Sequence, residues 1–100
     1  MADWAQDPVV VDLREQISET DRLILETVNR RLELVRRLRE YKAERGYPFV
    51  DKAREGALIE ELALQNTGPL STDGVRELYA GLLDLMKREA QLDNRRPGDM

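Results

Sequence analysis

The stretch that decides the fold is Pro8–Arg45, PVVVDLREQISETDRLILETVNRRLELVRRLREYKAER. Pro8 opens it, no further Gly or Pro interrupts it before Gly46, and its apolar residues recur at helical spacing. This predicts one very long helix over Val9 to Arg45. Alternating steps of three and four along it select Arg14, Ile17, Asp21, Ile24, Val28, Arg31, Val35, Leu38 and Lys42, a coiled-coil-like seam facing a partner. Four of these nine positions are ionisable and three are cationic. Two readings follow. Long basic side chains can snorkel out of a helix interface, and a seam charge can merely set register. Alternatively, several sequestered cations with one acid nearby await an anionic ligand. Arg22, Arg36, Arg37, Arg39 and Glu40 fall off the seam and are predicted to form a solvated face.

After this helix, Gly46-Tyr47-Pro48 reads as a turn. Asp51 offers an N-cap for a second helix from Lys52 to about Gln65, with Ala57, Leu58 and Leu62 on one side. Asn66-Thr67-Gly68-Pro69 stops it. Ser71, Thr72 and Asp73 are start signals for a third helix, whose stripe is Val75, Leu78, Tyr79, Leu82, Leu85 and Met86. No strand pattern or repeat competes. The expectation is an all-α fold of three helices: an N-terminal extension over 1–8, a helical domain over 9–92, and a disordered tail over 93–100.

The length of the first helix bears on assembly. About 36 residues at ~1.5 Å each span ~54 Å, whereas a compact domain of this size has a radius of gyration near ~13 Å. One chain cannot cover such a helix, so an intertwined antiparallel homodimer is expected. Arg14 and Arg31 stand 17 residues apart, or ~26 Å along the axis, too far for one small molecule to touch both within a chain. In an antiparallel pair crossing near Leu25, Arg14 of one chain comes opposite the stretch between Arg31 and Lys42 of the other. Two identical cationic pockets result.

Composition narrows the chemistry. The 100 residues are 41% apolar and 36% charged, which suits one modest soluble domain. No run of eighteen apolar residues is present, and Met1 to Gln6 lacks a signal-peptide layout, so a cytoplasmic protein without membrane association is expected. With no Cys and no His, the chain lacks a thiol nucleophile, thiolate metal ligands and the commonest general base. Neither a metal nor a cofactor is expected. A net charge of −4 disfavours nucleic acid as partner.

Four pieces of this pattern together resemble the all-helical chorismate mutases. They are Leu13-Arg14-Glu15-Gln16-Ile17 with Asp21, the central Arg31-Leu32-Glu33-Leu34, Lys42, and Asp51-Lys52-Ala53-Arg54-Glu55 opening the second helix. All stand at the family's spacing, and the resemblance covers roughly Val10 to Glu89. Such enzymes rearrange chorismate, a dicarboxylate, to prephenate by an intramolecular pericyclic shift in aromatic amino acid biosynthesis. No proton transfer or covalent intermediate is required, so the lack of His and Cys is no handicap. The enzyme holds one conformer and stabilises charge growing on the ether oxygen.

The resemblance implies roles for particular residues. Arg14 of one chain and Arg31 of the other would grip carboxylates with their guanidinium forks. Lys42 would bond the ether oxygen and a carboxylate. Glu55, with the backbone near Asp51, would receive the ring hydroxyl, and Arg54 would be a further positioning charge or a structural partner. Asp51 can equally be only an N-cap, and Arg54 and Glu55 only first-turn surface charges. Asp21 is expected to pair with a cation across the dimer. The third helix departs from the family, which there carries a small polar residue followed four later by Gln or Glu; here Met86 and Ala90 take those places. Glu89, on one helical face with Leu82 and Leu85, is the favoured second donor to the ether oxygen, with Gln91 the alternative. Isochorismate-pyruvate lyases share the fold and much of the cationic pocket, and a helical regulatory module with weak catalysis is a further alternative. Docking on a separate shikimate-pathway enzyme is left open.

Overall fold

Asp7 starts the long helix. Its carboxylate accepts the Val9 N–H at 2.8 Å, and its carbonyl accepts the Val11 N–H at 2.9 Å. Pro8 takes the first helical position, where a missing N–H leaves nothing unsatisfied. The helix therefore begins one residue earlier than the hydrophobic period alone indicates. A short 3-10 turn, Asp3–Gln6, precedes it; the sequence pattern did not signal this turn. The computed structural model describes residues 3–92 and contains three α-helices: α1 (Pro8–Arg45), α2 (Lys52–Gln65) and α3 (Thr72–Gln91). The expected tail over 93–100 and the first two residues of the 1–8 extension lie outside the described residues.

The end of α1 is built by hydrogen bonds that a glycine makes accessible. Tyr47 N–H returns to the Lys42 carbonyl at 2.8 Å and Gly46 N–H to the Ala43 carbonyl at 3.3 Å. Gly46 has φ +73°, in the left-handed region this closure requires. Each of the other two helices opens on a side-chain cap. Asp51 accepts the Arg54 N–H at 3.0 Å, and Ser71 accepts the Gly74 N–H at 2.9 Å. Of the three start signals before α3, Ser71 is thus the cap.

The described chain divides into two compact units between Glu33 and Leu34. The first holds the 3-10 turn and most of α1, as far as Glu33. The second holds the end of α1 with α2 and α3, which pack on each other. Among the described residues the buried ones are Ala63 of α2 and Val75, Leu83, Met86 and Ala90 of α3. The stripe expected on α3 is accordingly rotated: Val75 and Met86 turn inward as read, but Leu83 and Ala90 join them while Leu78 and Leu85 stay exposed. On α2, Leu58 and Leu62 are half-buried as expected, and Ala57 is exposed. Arg76 joins the two helices through two 3.0 Å bonds to Glu60, with Asp73 3.1 Å away. Among the described residues, none of α1 is buried.

Candidate active site

The turn that ends α1 also positions Lys42. Because the chain reverses at Gly46, the carbonyl of Phe49 comes to 3.3 Å from Lys42 Nζ, and the lysine is half-buried. One of its three protons is thereby used and two remain for a ligand. The backbone that follows leads directly into Asp51. That carboxylate caps α2, and the Asp51 carbonyl takes the first helical bond, from Glu55 N–H at 3.0 Å. The capping role left open for Asp51 is therefore present in the structure. Arg54 is exposed.

Glu55 is not a free surface charge. It is half-buried and accepts a 3.1 Å hydrogen bond from Lys87 of α3, whose ammonium also stands 3.5 Å from Asp84. The hydrogen bond that Lys87 donates to Glu55 holds the pKa of its ammonium above the usual lysine range, against the opposing effect of partial burial. Sequence reasoning missed Lys87. No helical spacing links it to Glu55, since the two meet only because α2 and α3 pack face to face; the available signal was a lone lysine in α3 beside the buried Met86.

Glu89 is half-buried and Gln91 exposed. The Glu89 carbonyl accepts bonds from Leu92 N–H at 3.2 Å and from Arg36 at 3.3 Å. This corrects the reading of Arg36 as part of a solvated face. The guanidinium is half-buried against the C-terminal turn of α3, where unpaired carbonyls attract a cation, and its Nε is buried without a partner. A seam counted for a partner helix ignores the contacts α1 makes within its own chain. Arg22, Arg37, Arg39 and Glu40 are exposed as predicted, with Arg39 lying 5.7 Å from the Phe49 ring centre. Met86 and Ala90 are buried in the α2–α3 packing, 3% and 2% exposed.

The remaining candidates lie in the first unit. Arg31 is half-buried, while Arg14 and Asp21 are exposed. The Arg14 guanidinium stacks on the face of Trp4 in the 3-10 turn, 5.2 Å from the ring centre.

Within the second unit, Lys42 with two unused protons and the Glu55 carboxylate held by Lys87 are each able to bind a polar ligand. A family model described as chorismate mutase type II matches residues 13–91. The chain belongs to that family. Chorismate mutases are isomerases, and the protein is an enzyme of that class. Two solved structures of the Thermus thermophilus chorismate mutase are similar to it. Form I is 26% identical with a TM-score of 0.76, covering 77% of this chain and 96% of that one. Form II is 23% identical with a TM-score of 0.80, covering 86% and 98%, and shows the same fold. A search of the curated proteins finds no significant match. The family match begins at Leu13, so Trp4 stands outside it. Among the described residues no helix is long and apolar enough to cross a membrane.

Proposed function

We propose that the protein rearranges chorismate to prephenate in sites shared between two antiparallel copies of the chain, as a cytoplasmic enzyme of aromatic amino acid biosynthesis. Membership of the chorismate mutase type II family over residues 13–91 is the observation that carries the activity. The dimer is supported by α1 itself. Val9, Ile17 and Ile24 are 65%, 60% and 56% exposed in one chain, and a second copy would cover them.

The residue roles are those implied by the family resemblance, and the charge and setting of each side chain support them. Arg14, contributed by the second copy, and Arg31 bind the two carboxylates through paired N–H bonds. Lys42, steadied by the Phe49 carbonyl, directs its remaining protons at the ether oxygen, where negative charge grows as the bond breaks. Glu55 accepts the ring hydroxyl beside the capped start of α2, where Asp51 and Arg54 supply the surrounding backbone and charge. Glu89 is the third-helix residue assigned to the ether oxygen, to which it donates only with its carboxyl protonated. A single preorganised conformer and these donors do the catalytic work, with no proton removed from substrate.

Incubating the purified protein alone with chorismate tests the reading: prephenate should form at a rate proportional to enzyme. Isochorismate, run in parallel, should not be cleaved. Pyruvate release from isochorismate with no prephenate from chorismate would identify a lyase. Turnover of neither substrate would leave a helical module without catalysis.

A further inference from the structure

We propose that Lys87 is a positioning residue of this site, holding the Glu55 side chain in place with one carboxylate oxygen free for the substrate's hydroxyl. The inference rests on the active-site reading above and adds to it a residue of α3 to which the resemblance assigned no role.

Geometry carries it. Lys87 Nζ binds Glu55 Oε1 at 3.1 Å, and the other oxygen of Glu55 has no hydrogen-bond partner among the described residues. Both side chains are about three-quarters covered, at 23% and 25% exposure. They line a groove between α2 and α3 together with Gly56, Ile59, Ala80 and Leu83. Beside Glu55 the wall is Gly56, where even a Cβ would meet nothing within 4 Å, so the pair borders open space.

Helix packing alone does not account for such a pair. Arg76 and Glu60 already join α2 to α3 through two bonds, at 46% and 58% exposure, and apolar burial adds to the join. A more buried ion pair costs desolvation, and its gain in stability is small or absent. What the Lys87–Glu55 pair supplies is a fixed rotamer: the ammonium holds one carboxylate oxygen of Glu55 in place, and the other is left to accept the substrate's hydroxyl hydrogen. The same ammonium adds positive charge to a site that must take up a dicarboxylate.

The test compares Lys87→Met, Lys87→Arg and Arg76→Met with wild type for kcat, KM and Tm. Loss of one charge-assisted bond at substrate binding predicts a KM for chorismate raised about tenfold in Lys87→Met, with kcat changed less than about threefold. Lys87→Arg should restore KM to within about threefold, because it keeps the charge. Arg76→Met, which removes the other ion pair between the same helices, should lower Tm and leave KM unmoved. Should Lys87→Met unfold, the double variant Lys87→Met/Glu55→Gln leaves no lone carboxylate and carries the test. A KM equal to that of Glu55→Gln alone supports the inference, and additive losses overturn it. An active wild type whose KM is unmoved by Lys87→Met overturns the inference and leaves the active-site reading intact. A wild type that does not turn over chorismate overturns both.

Discussion

The proposed sharing of each site between two chains can be tested by mixing two inactive variants. Arg14 and Arg31 lie on one uninterrupted helix, 17 residues apart. At ~1.5 Å per residue this is ~26 Å, and no small dicarboxylate bridges it. With Arg31 in the site as proposed, Arg14 acts in the partner's site or in none. Arg14→Ala and Lys42→Ala homodimers each contain two defective sites. In a heterodimer, one site receives both lesions. The other joins the intact Arg14 of the Lys42→Ala chain to the intact Lys42 of the Arg14→Ala chain. Random reassortment of equal amounts gives about half heterodimers, each with one working site of two, so activity returns to about a quarter of wild type. The assay is chorismate loss after co-refolding, with a mass tag on one chain to confirm exchange. Confirmed exchange with no recovered activity refutes the shared site and the antiparallel pairing with it.

Other consequences are more local. Lys42→Ala should lower kcat/KM by about 10²- to 10³-fold, the usual effect of removing one donor from developing oxyanion charge, while far-ultraviolet circular dichroism stays helical; a variant within tenfold of wild type contradicts the role given to Lys42. The bonds from Arg76 hold the Glu60 carboxyl below the usual glutamate range of 4.5. A carboxyl lowered in the folded state contributes stability above its unfolded value, and that contribution is lost as pH falls through the folded one. Urea midpoints measured from pH 6 down to pH 3 should therefore fall more for wild type than for Glu60→Gln, and parallel curves would show the pair to be inert.

How far the sequence reached depended on whether the determining interaction was local. The three helices were legible because their signals lie within a few residues of one another. Asp51, Ser71 and the turn at Gly46 each act on backbone groups three to five positions away, Pro8 fits the first helical position without needing an N–H partner, and the helical period does the rest. The cap at Asp51 was legible for the same reason, whereas the site roles of Lys42, Arg54 and Glu55 came from resemblance to a family and not from a local signal. The rotation of the α3 stripe toward Leu83 and Ala90 was not legible, because which of two adjacent apolar faces turns inward depends on the helix it packs against. Arg36, read as solvated, is half-buried against the Glu89 carbonyl, 53 residues away. Lys87 is 32 residues from Glu55 and meets it only across the α2–α3 packing. Helical period and caps belong to the chain by itself. Pairings between helices are decided in three dimensions, where burial makes each charge find a partner that no local spacing names.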